Sequence, residues 1–438
     1  MWSNVENLYL LVAFSGVALT IALRLAPEKL NRPLSTAASA LFMLALLALS
    51  ISAGELPGYV GFVSFAIGLA AVLAGYDLVH EDKPLHDALT LALASSLPIL
   101  AGTEDLIKAF AAWELMSVSV LLLVAFHREK ESAEAALKYL MLCGAGTAVA
   151  LAGIALVVLE TGSTRVDSVF QASLLARMLL AAGFATEAAA FPLHFWLPDA
   201  HMVAPSTASA MLSGVVIEAA AILVYRLAGW DPVVSRIFLY LSVAGAFVGN
   251  LSALAQDDIK RMLAYSSVAN VSYIVMGLCS GDGLARTYAL LHVAAHGYLK
   301  ASLFIISGIL LAQHGTRSLS RLTGALSGDN LLKLTVIASA LGLTGAPPLL
   351  PFWSELFIAV GVLSVSPALP VLFALAVILS FGYYFRLLQS LSQGSSLSAT
   401  HSKRYLLAST SALLLVALNA LLFTAPSLLV DAFALSVP

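Results

Sequence analysis

Phe191-Pro192-Leu193-His194-Phe195-Trp196-Leu197-Pro198 closes one long apolar run, and Ala346-Pro347-Pro348-Leu349-Leu350-Pro351-Phe352-Trp353 interrupts another. Proline lacks the N–H that a helix ladder needs, and its ring clashes with the preceding turn. In hydrocarbon the carbonyls it releases must be satisfied by protein or by water. Pro192, Pro198, Pro347, Pro348 and Pro351 therefore predict two broken helices that line polar cavities. The competing reading is a pair of kinks that only improve packing.

The surroundings of these breaks are apolar throughout. Hydrophobic residues make up 60% of the 438, charged residues 11%, and the mean hydropathy is +0.94. Soluble domains hold roughly 45–50% apolar and about 25% charged residues. The chain therefore reads as an all-α polytopic membrane protein. A bilayer crossing needs about 20 residues, and apolar runs of about that length or longer fall at 8–25, 34–53, 58–79, 85–101, 106–126, 133–159, 170–191, 205–227, 233–254, 262–279, 284–312, 331–365, 368–391 and 405–424. That predicts about fourteen crossings, two of them interrupted. No basic residue precedes the first run, so 1–25 is expected to stay in the mature chain rather than to act as a removable signal.

The interruptions fall in matching places. If 85–230 and 231–391 are two blocks of five crossings, each has its broken helix fourth, and an odd number of crossings makes the second block enter from the other face. This is the pattern of an inverted repeat, whose site lies near the midplane at the discontinuous helices. Residues 1–84 add three helices before the repeats, and 392–438 add one after them.

Loop charge sets the expected orientation. Arg24, Lys29, Arg32, Lys83, Arg128, Lys130, Lys260, Arg261, Arg317, Arg321, Lys333, Arg386, Lys403 and Arg404 fall on one side; Lys108, Arg165, Arg177, Arg226, Arg236 and Arg286 fall on the other. The richer side should be cytoplasmic, with both termini outside, in the cell membrane of a prokaryote. A net charge of −3 carries no nucleic-acid signal. Cys143 and Cys279 lie within apolar runs without a partner at ligand spacing and read as inert thiols. With no CxxC cluster, Walker loop, GxGxxG or paired-His haem pattern, no cofactor is expected in this chain.

Against this background seven ionisable groups stand out at membrane depth: Glu114, Glu187, Glu218, His292, His296, Lys300 and Glu355. Such groups are costly in a bilayer and mark ion pathways. The plainer reading of each carboxyl is a hydrogen-bonded structural group. His292, His296 and Lys300 are spaced by four and share one helix face, where imidazole can accept and donate near neutral pH. That spacing also suits a metal, but no third ligand stands out and Lys300 would oppose a cation. His194, Asp199 and His201 flank the first break and serve either an access path or an interface. Lys260 and Arg261, after Asp257 and Asp258, read equally as a helix-end charge cluster or as a coupling element.

Trp113-Glu114-Leu115-Met116-Ser117, Ala136-Leu137-Lys138-Tyr139, Phe191 to His201, Ala204-Pro205-Ser206, Gln256 to Ser267, His292 to Lys300, Gly345-Ala346-Pro347-Pro348 and Gly382-Tyr383-Tyr384 form one set. Together they resemble the antiporter-like proton-channel subunits shared by respiratory complex I, Mrp cation/proton antiporters and membrane-bound energy-converting hydrogenases. The likeness runs from about residue 85 to 390. It implies fourteen helices with two inverted five-helix repeats, a midplane row of proton-carrying residues, and no redox cofactor in this subunit. By motif position Glu114 matches the family's fifth-helix glutamate, His292, His296 and Lys300 its central histidine and lysine stretch, and Glu355 the acid or lysine after the second break.

Two departures follow from the same resemblance. Glu187, after Gly183-Phe184-Ala185-Thr186, and Glu218, after Ser213-Gly214-Val215-Val216-Ile217, stand where the family usually has lysine. Glu114 is thus expected to meet Glu187, and two close carboxyls in a low-dielectric site share a proton. The leading reading is a proton-translocating subunit of a redox-driven complex, beside further antiporter-like subunits, a peripheral redox arm and lipid. The alternatives are a subunit of a Na+/H+ antiporter, which four carboxylates would suit, and a non-conducting structural spacer.

Overall fold

The computed structural model describes residues 2–393 and 405–435, and among these residues the regular structure is helical, with no strand. Lys403, Arg404 and the end residues on which the placement of the termini turns lie outside the described residues. The helices are α1 (Trp2–Ala22), α2 (Glu28–Ala53), α3 (Glu55–Leu78), α4 (Lys83–Gly102), α5 (Leu106–Val124), α6 (Lys130–Thr161), α7 (Leu174–Glu187), α8 (Trp196–Val203), α9 (Ser206–Met211), α10 (Ile217–Val224), α11 (Pro232–Leu254), α12 (Ile259–Leu278), α13 (Gly283–His314), α14 (Asn330–Gly342), α15 (Pro351–Val362), α16 (Ala368–Ser392), α17 (Leu406–Thr424) and α18 (Ser427–Ala432).

Eleven helices among the described residues are long and apolar enough to cross a membrane. One of them, Ser206–Gly229, joins α9 and α10 through π-helical turns at Leu212–Val216 and Tyr225–Gly229. The other three expected runs map onto α12 and the two broken pairs α7/α8 and α14/α15. The run expected at 170–191 is shorter as helix: α7 starts at Leu174 and ends at Glu187, short of Pro192. The backbone turns out of the helix through Ala188 and Ala189, the latter at φ 50°, and resumes as α8 at Trp196.

Side-chain caps set many of the starts. Asp105, Ser173, Asp231, Asp258, Asp282 and Asp329 each accept from backbone N–H groups in the first turns of α5, α7, α11, α12, α13 and α14, which satisfies donors the ladder leaves free. The two longest helices, α6 and α13, have 32 residues each and both end on a glycine in the left-handed region, Gly162 (φ 70°) and Gly315 (φ 68°). A residue with a Cβ would be strained at either place.

The same small bridge appears twice among the described residues. Asp105 and Arg165 pair antiparallel, with Leu106 N–H on Thr164 O (2.7 Å) and Val166 N–H on Glu104 O (2.9 Å). Asp258 and Ser318 pair likewise, with Ile259 N–H on Arg317 O (3.0 Å) and Leu319 N–H on Asp257 O (2.8 Å). In each case the cap of one helix is tied to the loop that follows the next, 32-residue helix.

At the centre lie α13 and the Ser206–Gly229 rod, both wholly buried over their apolar windows, while α1 is the least covered. A helix buried all round must find its partners within protein. Gly297 of α13 meets Gly214 of the π-helical turn so closely that a Cβ on Gly297 would stand 2.2 Å from Gly214 O. Backbone contact of this kind, open only to glycine, sets the spacing between the two central helices.

Candidate functional site

The central contact positions Glu218 and His296. Glu218 sits on α10 between the two π-helical turns, and such turns recur at functional sites. Its Oε1 meets His296 Nδ1 across the Gly214–Gly297 contact, both side chains being fully buried. Glu218 Oε2 and His296 Nε2 have no hydrogen-bond partner among the described residues. One proton is therefore held between carboxyl and imidazole, with an open atom on either side. That is an arrangement for passing a proton on.

α13 carries the next members at the expected four-residue steps. The His292 and His296 rings stack 6.0 Å apart at 14°. His292 Nδ1 lies 2.8 Å from Ser354 Oγ, and its Nε2 lies 3.1 Å from Asn270 Oδ1. Asn270 donates its own amide to Ser266 O (2.8 Å), so its Oδ1 faces the imidazole as an acceptor and the Nε2 is the donating nitrogen. Lys300 donates to Leu263 O (2.8 Å) and stands 5.9 Å from the Tyr384 ring centre. Among the described residues no group of three or more His, Cys, Asp or Glu side chains comes together as a metal site.

Glu355 follows the second break at the start of α15. Its carboxylate fills the space over Gly345, where a built Cβ would lie 2.2 Å from Oε2. Oε1 has no partner among the described residues. Its neighbour Ser354 is the residue that touches His292, so the second break and the histidine row meet at adjacent residues. Behind them Tyr383 donates to Asn250 Oδ1 (2.9 Å) and Ser266 Oγ (3.0 Å), while Ser266 Oγ lies 2.8 Å from Tyr384 OH.

Glu187 ends α7 and is fully buried. Its Oε1 accepts from Tyr139 OH, and that phenol also lies 2.9 Å from Ser117 Oγ. Glu114, half-buried on α5, is an electrostatic neighbour of Glu187. Among the described residues no hydrogen bond joins the two carboxyls: Glu187 Oε2 has no partner there, and the tyrosine is the group in contact. The hydrogen bonds that hold Glu187 thus come from Tyr139, itself beside Ser117, rather than from Glu114, which stays an electrostatic neighbour.

The breaks themselves are closed by side chains. Phe191–Pro192 and Pro347–Pro348 are both cis. At the first, Trp196 Nε1–H donates to Thr186 O (2.9 Å), which also accepts from Ala189 N–H (3.1 Å) where α7 ends. At the second, Asn419 of α17 accepts from Leu350 N–H (2.9 Å) and donates to Ala295 O (2.8 Å), tying the break to α13 between His292 and His296. Pro198 is buried within α8, and Pro351 opens α15.

Sequence reading missed one buried cluster. Lys83 and Asp87 form an ion pair with both side chains fully buried; Lys83 also donates to Val72 O (3.1 Å). His86 bridges Asp87 Oδ1 (3.1 Å) and Thr207 Oγ1 (2.7 Å), and Ser35 and Thr36 donate to Asp87 Oδ2. The signal was Lys83-x-x-His86-Asp87, but Lys83 falls just before the run at 85–101 and read as a loop charge. Lys260, also counted among loop charges, is 2% exposed and donates to Ala204 O (2.6 Å). Lys138, by contrast, is half-exposed and paired with Glu134 (3.2 Å) and Asp199 (3.1 Å); Asp199 also holds Arg261 (3.3 Å).

Comparison with known proteins gives the family and the fold. NADH-quinone oxidoreductase subunit N of Desulforudis audaxviator is 31% identical over 354 residues, covering 76% of this chain and 70% of that protein. The subunit N 2 of Acidobacterium capsulatum is 29% identical over 374 residues, covering 78% and 75%. In fold the chain is similar to a chain of the archaeal membrane-bound sulfane sulfur reductase (TM-score 0.88, 22% identity, 98% and 96% covered) and to one of the Mrp complex from Dietzia sp. DQ12-45-1b (0.84, 18%, 98% and 95%). A chain of respiratory complex I from Thermus thermophilus matches at 0.81 with 25% identity, 97% and 100% covered. Residues 103–380 match the family described as NADH:quinone oxidoreductase/Mrp antiporter, TM, and the chain, a multi-pass membrane protein, belongs to that family.

Proposed function

We propose that this chain is a proton-translocating, antiporter-like membrane subunit of a redox-driven ion-pumping complex in the cell membrane of a prokaryote, with its basic-rich end facing the cytoplasm. Protons move by stepwise protonation along Glu114, Glu187, Glu218, the His296–His292–Lys300 row and Glu355. The observation that carries this reading is the Glu218–His296 contact, buried on the two most enclosed helices and leaving an open atom on each partner. A group placed only for packing would have its polar atoms satisfied. The subunit takes no cofactor of its own in this reading, and electron transfer belongs to a peripheral arm of the complex.

Exchange of Na+ for H+ is the second reading, favoured by four carboxylates in one membrane subunit. Na+ needs several oxygen ligands converging on one point, as hard cations do. Here the carboxylates are dispersed, and none gathers with two others among the described residues, which favours the proton.

Lys300→Met in the assembled complex tests the proposal. The stem volume is kept, so assembly should persist while the ion gradient built per turnover falls about tenfold or more. Lys300→Arg should also fail, because guanidinium does not release its proton in a protein. A methionine variant that assembles and builds a normal gradient would move the weight to the spacer reading; a gradient that collapses only when Na+ is withheld would favour the antiporter.

A further inference from the structure

At the basic-rich end a cavity of about 490 Å³ opens between the ends of α3, α6, α8, α12 and α13. Glu129, Glu131, His127 and Arg317 stand in its wall with the segment from Met202 to Ser206, and Arg317 is held by Met202 O (2.8 Å) and Asp258 (3.2 Å). Lys260 reaches this cavity although it is 2% exposed, with Nζ on Ala204 O at 2.6 Å. Carboxylates at a cavity mouth raise the local concentration of cations and protons. A lysine turned inward from a helix end towards such a wall is unlike a surface cap charge.

Behind Lys260 lies His201. It is fully buried, its ring stacks on Phe304 at 4.5 Å and 16°, and neither ring nitrogen has a hydrogen-bond partner among the described residues. A side chain present only for that stack would be a phenyl ring, because two unsatisfied ring nitrogens are a cost with no return in packing. Its charged neighbours are Lys260 and Lys300. The helices explain why. Phe304 lies one turn beyond Lys300 on α13, and Leu263, whose carbonyl holds Lys300, lies one turn beyond Lys260 on α12. Residues three or four apart share a helix face, so α12 and α13 bring both lysines to the same seam, with His201 of α8 against it.

We propose that this cavity, Lys260 and His201 form the access limb through which protons reach Lys300 from the basic-rich end. The inference rests on the proton-carrying reading above and adds to it an inlet that the midplane row does not contain. The transfer balances without a redox partner. An N–H bond of the Lys260 ammonium breaks as one forms at a His201 nitrogen; the N–H at the other ring nitrogen breaks as one forms on the Lys300 amine; a proton taken up from bulk solution and relayed as hydronium through cavity water re-forms the Lys260 ammonium and leaves water behind. The Lys83–Asp87–His86 cluster differs in that its polar atoms are all engaged, so it holds helices together and offers no open acceptor.

The test uses membrane vesicles that carry the assembled parent complex. His201→Phe keeps the stack on Phe304, and Lys260→Arg keeps the charge beside Ala204 O without a releasable proton. Both should assemble at normal levels and lose about tenfold or more of the proton flux per turnover. Lys260→Cys should react with a small thiol reagent added at the basic-rich face and not at the other; Cys143 and Cys279 are buried and give no background. If both substitutions pump normally while Lys300→Met abolishes the gradient, the access limb is wrong and the midplane reading stands. If Lys300→Met pumps normally as well, the proton-carrying reading itself fails. A Lys260→Cys variant that no reagent reaches from the basic-rich face also overturns the access limb.

Discussion

At Glu187 the structure changes the meaning of a residue that sequence had already singled out. Motif position places an acid where lysine is usual, and Glu114 would then face a like charge. The fold supplies Tyr139 and Ser117 as a hydrogen-bonded bridge at the carboxyl, and no one-dimensional pattern announces that the phenol of Ala136-Leu137-Lys138-Tyr139 turns inward. Its neighbour Lys138 points the other way, to Asp199 and Glu134. Tyr139→Phe keeps the ring against Trp196 (5.0 Å) while removing the O–H, so assembly should be normal and proton flux per turnover should fall several-fold. Glu187→Leu should impair flux more strongly, and Glu187→Lys, which restores an opposite charge beside Glu114, only moderately. Flux unchanged in the leucine variant would remove Glu187 from the pathway.

Helix spacing depends on residues with no chemistry of their own. Periodicity and length located nearly every helix, and the proline clusters located both breaks, because apolar runs of crossing length and missing N–H donors are local properties of sequence. What stayed hidden was contact between elements: π-helical turns around Glu218, the clamp of Asn419 on the second break, and the start of α4 two residues ahead of its apolar run, which conceals a buried ion pair. These come from partners far along the chain. Gly297 shows how narrow the tolerance is. A Cβ there would fall 2.2 Å from Gly214 O, a backbone atom that cannot rotate aside, so α13 must move away from the π-helical turn. Gly297→Ala should therefore separate His296 from Glu218, destabilise the subunit by about 1–3 kcal/mol as overpacking does, and lower proton flux more than assembly. Equal flux per assembled complex in wild type and variant would show that the contact only packs.

Across the whole molecule, one design recurs in the two halves of the chain, and we propose sidedness from it. Each half has an Asp-capped helix, then a 32-residue helix ending on a left-handed glycine, then a loop that bridges back to the cap. We propose that this is the inverted repeat that the proline breaks predict, which would put the 162–173 loop and the 315–329 loop on opposite faces. Of the basic residues that set the orientation, Lys83 and Lys260 are buried, which trims the excess on the richer face without reversing it. α6 alone provides the ruler: 32 residues at about 1.5 Å each span roughly 48 Å, with exposed Glu131 at one end and exposed Asp167 beyond the other. In intact cells Asp167→Cys should react with an impermeant maleimide, whereas Glu131→Cys should react only after the membrane is opened. The reverse pattern would invert the orientation and move the Lys260 cavity to the outer face, where it would serve as the outlet of the same row.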